Sequence, residues 1–233
     1  KQENCVLFSE FLKAGQGKNV EYLEIKADAP AVIAYTGGTT GKAKGVLLSN
    51  RAANTIAFQY KYADKVLDFQ NGERFLDIIP PFLAYGLFLG VHMALCTCLE
   101  DVLCPDPAPE RLPKLFTKYR PNHLSGGPLH MEAMTKDKKI RGMNLSFAKT
   151  VAYGGDGMNQ EWEDEMSKFL KSHQASYGLM KGYGMTEMAG PVCTSNHKFP
   201  VMLPFFCNNI KILDIVTGEE LGYGQEGEIC VCG

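Results

Sequence analysis

The sequence predicts an α/β fold, with helices layered on a largely parallel sheet and the start of a small β element at the C-terminal end. Two observations predict this fold. Short apolar runs of strand length alternate with segments of helical periodicity over most of the chain. After about Pro200, strand patterns follow one another directly. We therefore expect an α/β core over residues 1–200 and the start of a β-rich subdomain over residues 201–233.

Apolar runs bounded by turn residues predict the strands. In the core they are Ala31–Tyr35, Val46–Leu48, Phe75–Ile79, Asn122–Ser125 and Thr150–Tyr153. In the C-terminal part they are Ile210–Ile215 and Glu228–Val231, on either side of a turn at Thr217, Gly218 and Glu219. Because helical patterns separate most of the core strands, those strands are expected to run parallel.

Capping residues and helical spacing predict the helices between these strands. Ser49 and Asn159 can each cap a helix, and Pro109 suits the first turn of another. The helix after Ser49 would bury Ala53, Ile56, Ala57 and Tyr60. The helix after Asn159 would bury Trp162, Met166, Phe169 and Leu170. Both sets recur at helical spacing, so each defines one apolar face.

Composition excludes several classes of protein. Hydrophobic residues make up 45% and charged residues 21% of the 233 residues, and the formal net charge is −2. No basic cluster predicts a nucleic-acid or membrane-surface partner. The uncharged stretch from Ile78 to Leu99 is long enough for a membrane span, but Pro80 and Pro81 interrupt it. We interpret it as a buried strand, a turn and a buried helix.

The eight cysteines form no Cys-x-x-Cys pair, and no histidine lies near enough in sequence to indicate zinc. They are expected to be free, mostly buried thiols. Free thiols are typical of a reducing compartment, so we expect a cytoplasmic protein.

A Gly/Thr-rich loop from Tyr35 to Gly45 follows the first predicted strand. Glycine lets backbone N–H groups approach a ligand, threonine adds hydroxyl donors, and Lys42 and Lys44 add positive charge, so the loop suits a polyphosphate. It is not a Walker A loop, because three residues instead of four separate Gly37 from the glycine before Lys42.

The loop resembles the signature Tyr-Thr-Ser-Gly-Thr-Thr-Gly-x-Pro-Lys-Gly-Val of adenylate-forming enzymes, which include acyl-CoA synthetases, luciferases and peptide-synthetase adenylation domains. The matching residues are Tyr35, Thr36, Gly38, Thr39, Thr40, Gly41, Lys44, Gly45 and Val46. Two positions depart from it. Gly37 replaces a serine, which removes a hydroxyl, and Ala43 replaces a proline, which makes the loop less rigid.

Four further segments resemble that family in the family's order. Ala152–Gly157 is similar to its Gly-Gly-Glu segment and Gly182–Glu187 to its second signature. Pro80–Gly86 is similar to its Pro-Leu-Phe-His-x-x-Gly segment, with Leu83 in place of the histidine. Gly227–Gly233 resembles a strand that precedes the family's ribose-binding aspartate and C-terminal lid domain. The resemblance thus implies that an N-terminal part and the lid lie outside this chain.

The resemblance implies a set of site residues. Those implied in ATP binding are Thr36, Gly37, Gly38, Thr39, Thr40, Gly41, Lys44, Gly154, Gly155, Asp156, Gly182, Tyr183, Gly184 and Thr186. Lys44, Thr186 and Glu187 would be catalytic, with Glu187 holding Mg²⁺. The acid pocket would be walled by Leu83, Tyr85, Gly86, Phe88, Leu129, Tyr153 and Ala189.

The resemblance implies that ATP activates a carboxylic acid to an acyl-adenylate, and that the acyl group then passes to the thiol of CoA. Transfer to a carrier-protein thiol is an alternative, and so is a nucleotide-binding remnant without turnover. No acidic residue is placed to bind an amino group, which favours a fatty or aromatic acid over an amino acid. The chain alone is expected to be nearly inactive without the lid.

Overall fold

The computed structural model describes residues 5–36, 42–63, 67–104, 108–195 and 201–233. Its strands, in chain order, are β1 (Pro30–Tyr35), β2 (Gly45–Ser49), β3 (Arg74–Asp77), β4 (Glu100–Leu103), β5 (His123–Gly126), β6 (Thr150–Tyr153), β7 (Leu179–Met185), β8 (Gly190–Thr194), β9 (Leu203–Pro204), β10 (Asn209–Leu213) and β11 (Glu228–Cys232). Among the described residues, β3 to β9 form one sheet in the spatial order β4-β3-β5-β6-β7-β8-β9. The first five strands in this spatial order, β4, β3, β5, β6 and β7, are parallel, whereas β8 and β9 are antiparallel to their neighbours.

The helices are α1 (Phe8–Gly15), α2 (Asn50–Tyr62), α3 (Tyr85–Met93, continuing through Ala94–Cys96), α4 (Leu112–Tyr119), α5 (Pro128–Lys136) and α6 (Gln160–Ser172). The first nine residues of α3 have π-type hydrogen bonding, which is rare and often occurs at functional sites. Short 3₁₀ turns lie at Pro109–Arg111, Ile140–Gly142 and Thr186–Met188.

Two apolar clusters lie on opposite faces of the sheet. On one face, α2 and α3 pack with residues such as Ile56 and Phe88 in a cluster that includes Phe75. On the other face, α4, α5 and α6 pack in a cluster that includes Leu76. Because successive strand residues point to opposite faces, neighbouring Phe75 and Leu76 belong to different clusters. The fold is therefore a three-layer α/β/α arrangement, and the predicted layering of helices on a largely parallel sheet is confirmed.

The strand order reverses between β3 and β5. The chain leaves β3, passes through α3 on one face, and enters β4 at the edge of the sheet. It then returns through α4 on the opposite face and enters β5 on the other side of β3. In open α/β sheets, ligands bind at the carboxyl ends of the strands where the order reverses in this way.

Local sequence signals explain how α2 and α6 begin. The Ser49 hydroxyl accepts a hydrogen bond from the Ala52 N–H at 3.1 Å, and the Asn159 side chain accepts one from the Trp162 N–H at 2.9 Å. Both caps are as predicted. Trp162 is 38% exposed, however, so its assignment to the buried face of α6 was wrong. It lies in the first turn of the helix, beside a surface cavity shared with Arg141.

Most of the cysteines are not buried, contrary to the expectation. Cys193 is buried, while Cys104 and Cys230 are partly buried. The exposed ones are Cys5, Cys96, Cys98, Cys207 and Cys232. Apolar neighbours in the sequence misled this prediction: Cys96 and Cys98 lie at and just after the end of α3, where they are exposed while the neighbouring Thr97 and Leu99 are buried.

Two antiparallel strand pairs lie beside the main sheet. β1 pairs with β2, so the Gly/Thr-rich loop joins the two strands of a hairpin, and a strand follows it as predicted. β10 pairs with β11, in keeping with the predicted strand-rich tail. The domain boundary near residue 200 stays a prediction. Within the described residues, no helix has the length and apolarity needed to cross a bilayer.

Two glycines let α3 pack directly on the end of β3. A Cβ on Gly90 would lie 2.3 Å from a carboxylate oxygen of Asp77, and a Cβ on Gly86 would lie 2.4 Å from the Pro80 carbonyl oxygen. Asp77 is 1% exposed beneath this contact. Burial, with a smaller effect from Asp101, raises the pKa of Asp77 to about 7. The close contact fixes the start of α3 against the carboxyl end of the sheet.

Candidate functional site

A cavity of about 210 Å³ opens at the carboxyl ends of β5, β6 and β7, beside the start of α3. Its walls come from Tyr35, Tyr60, Leu83, Ala84, Tyr85, Leu89, Ser125, Ala152, Tyr153, Gly154, Gly155, Gly182, Tyr183, Gly184, Met185, Thr186, Gly190, Pro191 and Thr194. Since β5 lies next to the reversal in strand order, the cavity occupies the place where this class of sheet binds ligands.

One wall of the cavity is backbone without side chains. A Cβ on Gly154 would lie 2.9 Å from the carbonyl oxygen of Gly182, and a Cβ on Gly184 would lie 2.3 Å from that of Gly190. Gly155 has a φ of 82°, which a side chain would strain. Glycine at these positions lets the strands approach closely and leaves this wall as bare backbone, and Tyr183 also lines the cavity.

Aromatic side chains next to the glycine wall carry a buried hydrogen bond, and a Cβ on Gly154 would lie 3.6 Å from the Tyr85 hydroxyl. The Tyr85 hydroxyl lies 2.5 Å from the Ser125 hydroxyl. Burial raises the pKa of Tyr85 to about 12, so the hydroxyl stays protonated at neutral pH. Tyr85 is held by α3 and Ser125 by β5, and their hydrogen bond joins the two elements at the cavity wall.

Tyr153 lies between this cavity and a polar groove beside α6. Its hydroxyl donates a hydrogen bond to Glu163, and that carboxylate also accepts one from the Lys181 ammonium at 2.9 Å. Burial and the neighbouring carboxylate raise the pKa of Tyr153. The contacts fix the Tyr153 ring as a rigid apolar side of the cavity.

The base of the Gly/Thr-rich loop is closed by Thr36 and Lys44. The Thr36 N–H donates to the Lys44 carbonyl at 2.9 Å, and the Lys44 N–H donates to the Thr36 hydroxyl oxygen at 3.2 Å. Neither residue lines the cavity, although Tyr35 next to them does. The predicted phosphate ligands between them lie outside the described residues: Gly37, Gly38, Thr39, Thr40 and Gly41.

The predicted metal ligand, Glu187, is exposed at the cavity rim, directly after Thr186, which lines the cavity. In the part of the chain that the structure describes, no three potential metal-ligating side chains cluster together. Mg²⁺ is often held by one or two carboxylates together with substrate phosphates and water. A single exposed carboxylate beside a hydroxyl fits that mode of binding.

The structure brings nine of the predicted site residues together around one cavity. The predicted residues that line the cavity are Leu83, Tyr85, Tyr153, Gly154, Gly155, Gly182, Tyr183, Gly184 and Thr186. Outside it lie Gly86, Phe88 and Ala189, which are buried, and Leu129, which is 60% exposed. Asp156 is exposed beyond the glycine wall, where its carboxylate accepts a hydrogen bond from the Gly157 N–H at 2.7 Å.

Several lining residues were not predicted. Tyr60 was assigned only to the buried face of α2, and Ser125 only to the end of a strand. Ser125 could have been found, because it lies near the carboxyl end of a predicted parallel strand. No sequence pattern marks Thr194 or Pro191, which reach the cavity through the antiparallel pairing of β8 with β7.

The sequence matches the family model described as AMP-binding enzyme over residues 2–233. It is 30% identical to 4-coumarate-CoA ligase 1 of Narcissus pseudonarcissus over 242 aligned residues, which cover 99% of this chain and 43% of that protein. It is 29% identical to a long-chain-fatty-acid–CoA ligase of Bacillus subtilis (strain 168), over 87% of this chain and 36% of that protein. The chain thus spans less than half the length of these relatives.

The fold matches that of solved structures. The ATP-bound structure of MatB from Rhodopseudomonas palustris superposes with a TM-score of 0.80 at 21% sequence identity, covering 95% of this chain and 43% of that one. At this identity the likeness concerns the fold. Together with the family model, which spans nearly the whole sequence, it shows that the chain belongs to the AMP-binding enzyme family.

Proposed function

We propose that the protein containing this chain activates a carboxylic acid with ATP, forming an acyl-adenylate, and transfers the acyl group to the thiol of CoA. One observation carries the proposal: one cavity combines a bare glycine wall, suited to a nucleotide base, with aromatic and mainly apolar side chains suited to an acid. The names of the related ligases support the same reaction class.

The described residues suit separate parts of this reaction. Adenine would lie against the glycine wall at Gly154 and Gly182, near Tyr183. Lys44 and Thr36, at the base of the loop, would lie near the β- and γ-phosphates. The carboxylate of the acid would then attack the α-phosphorus, and pyrophosphate would leave with its charge offset by these groups. Positioning and charge neutralisation are the main contributions of the protein.

A magnesium ion would be held by Glu187 and by phosphate oxygens. Its role would be to neutralise charge on the departing pyrophosphate. Thr186, next to it and on the cavity wall, would hold a phosphate oxygen. The acid would lie between Tyr85 and Tyr153, whose rings favour a fatty or aromatic skeleton over an amino acid.

The decisive experiment is ATP–pyrophosphate exchange by the full-length protein with a panel of fatty and aromatic acids. Lys44→Ala is expected to lower exchange by about 100-fold, the size of effect seen when one transition-state donor is removed. Lys61→Ala removes an exposed charge of the same sign from the last turn of α2, outside the loop, and is the matched control. Absence of exchange with every acid, or equal losses in both variants, would contradict the proposal.

Two further parts of the proposal have direct tests. Thioester formation, measured separately with CoA and with a carrier protein, distinguishes the two acceptors, and CoA is expected. The 233-residue chain spans less than half the length of the related ligases and is expected to form almost no thioester by itself. The exposed free thiols fit a reducing compartment, and we therefore propose a cytoplasmic location. Fluorescence microscopy of a tagged protein would test this location.

A further inference from the structure

A second cavity, of about 30 Å³, lies beside the first. The residues that line both cavities are Tyr60, Leu89, Ser125, Ala152 and Thr194. The smaller cavity adds His123 and Thr150, which precede Ser125 and Ala152 by two residues on their strands. It therefore continues the first cavity inward along β5 and β6, away from the glycine wall. We call it the inner chamber.

His123 and Thr150 form the floor of the inner chamber. They are paired in register on the adjacent parallel strands β5 and β6, so their side chains share one face of the sheet. His123 is 0% exposed and Thr150 is 6% exposed. Gly154 directly follows β6 and is four residues from Thr150, which corresponds to about 13 Å of extended chain at ~3.3 Å per residue.

Each of these side chains has a buried polar atom without a partner. Among the described residues, neither Nδ1 of His123 nor Oγ1 of Thr150 has a hydrogen-bond partner. Leaving such an atom buried and unpaired costs about 1–3 kcal/mol of free energy. Because both residues line the inner chamber, a polar group that enters it could satisfy both atoms.

The other nitrogen of His123 shows which kind of group would fit. Nε2 lies 2.8 Å from one carboxylate oxygen of Glu73, and the Lys149 ammonium lies 2.6 Å from the other. Since an ionised carboxylate only accepts hydrogen bonds, Nε2 carries the proton. Burial lowers the pKa of His123, which favours the neutral ring with Nδ1 as an acceptor. A hydroxyl group can donate to Nδ1 and accept from the Thr150 hydroxyl.

We propose that the inner chamber is the far end of the acid pocket and that it selects an acid with a hydroxyl group at the end opposite the carboxylate. This inference rests on the proposed function. The carboxylate lies near the glycine wall, the carbon skeleton passes Tyr85 and Ser125, and the terminal hydroxyl binds His123 and Thr150. Sites built to bind a substrate hydroxyl discriminate strongly against analogues that lack it.

The test compares two acids that differ only in a terminal hydroxyl or methyl group. One matched pair consists of aryl-propenoic acids with the hydroxyl or methyl group in the para position, and the other consists of straight-chain acids. For at least one pair, kcat/KM for ATP–pyrophosphate exchange by the full-length protein is expected to favour the hydroxy acid by about 10-fold or more, the worth of one hydrogen bond. Equal values for both pairs would overturn the inference and leave the proposed function standing.

Substitutions test whether His123 and Thr150, on the floor of the inner chamber, cause the preference for the hydroxy acid. Thr150→Val keeps the side-chain shape and should bring the ratio of kcat/KM for the hydroxy acid to that for the methyl acid towards one. Thr150→Ser keeps the hydroxyl and should retain the preference for the hydroxy acid. Thr117→Val, on α4 and outside both cavities, is the matched control. Its hydroxyl donates to the Pro113 carbonyl at 2.9 Å, so the ratio of the two kcat/KM values should not change. His123→Gln is a second floor variant if Thr150→Val does not fold.

Equilibrium binding separates this inference from the proposed reaction. Calorimetric titration of the full-length protein with each acid needs no turnover, and the hydroxy acid is expected to bind about 10-fold more tightly. Tighter binding without exchange would support the inner chamber and contradict the proposed reaction. Equal binding, as expected if a water molecule satisfies the floor with either acid, would overturn the inner-chamber assignment.

Discussion

At the scale of single residues, the glycines of the cavity wall decide what the site can accommodate. Gly154 faces the Gly182 carbonyl oxygen so closely that a Cβ would lie 2.9 Å from it. Real Cβ atoms do not approach a backbone oxygen that closely, so a side chain at residue 154 would push β6 and β7 apart at their carboxyl ends. The lack of a side chain at residue 154 is therefore what allows β6 and β7 to lie this close together at the cavity wall.

Gly154→Ala is therefore expected to raise the KM for ATP and to lower kcat/KM for exchange by at least about 10-fold, since small displacements of reacting groups are costly. Gly157→Ala, three residues along, is the matched control, because a Cβ there meets nothing within 4 Å. Steady-state exchange kinetics of the full-length protein measure the difference. Similar kinetics in both variants would mean that the glycine wall does not bind the nucleotide.

Sequence patterns predicted individual residues unevenly. The glycines and Tyr183 were recognised because they stand in a signature of consecutive residues. Ser125 and Thr194 reach the cavity through strand pairing, and Tyr60 through the packing of α2. Such contacts depend on tertiary structure that a local pattern does not contain.

At the scale of elements, α3 is the helix whose geometry the sequence could not predict. Its apolar composition correctly predicted a buried helix, but not the π-type hydrogen bonding over Tyr85–Met93. Gly90 packs on the carboxylate of Asp77, which has one buried oxygen without a partner among the described residues. The burial of a carboxylate beneath α3 makes the stability of this contact depend on pH.

Asp77 should destabilise the fold as the pH rises. Burial raises its pKa to about 7 from an ordinary value of 3.8. Between about pH 4 and pH 7 the unfolded chain loses this proton while the folded protein keeps it, so the free energy of unfolding falls; above pH 7 both states are ionised and the decline ends. Asp101, whose pKa burial raises to about 6, acts in the same direction.

Asp77→Asn removes this titration, so it should stabilise the protein more at pH 8 than at pH 5. Urea unfolding at the two pH values measures the difference in free energy. Glu165→Gln, at an exposed carboxylate on α6, controls for the loss of one negative charge. A gain from Asp77→Asn that is equal at both pH values would show that the carboxylate ionises freely in the folded protein.

At the scale of the whole molecule, alternation of strands and helices was sufficient to predict helices layered on a largely parallel sheet, but not how the helices divide between its two faces. The hairpin of β1 and β2 has a less expected property. Its inner face contributes Ala34 and Leu48 to the core, whereas Ile33 and Leu47 pair across the strands on the outer face and are 59% and 62% exposed. Apolar pairs in contact on an exposed sheet face favour association.

The 233-residue chain should accordingly self-associate at high concentration, and Ile33→Thr should reduce this association without a comparable loss of stability. Val32→Thr, one residue away on the inner face, should instead lower the free energy of unfolding, because Val32 packs against the core cluster. Sedimentation velocity and urea unfolding of both variants measure the two effects. The reverse result would mean that the faces of the hairpin are wrongly assigned.

The reversal of strand order between β3 and β5 also bears on how the protein folds. The cavity is lined by residues from Tyr35 to Thr194, so its walls meet only after parallel strands distant in sequence have paired. Non-local pairing of this kind slows folding, and a partly folded chain would have no complete cavity. A compound that fits the cavity would therefore recognise only the assembled sheet and stabilise the whole of it, so its binding would report on the completion of folding.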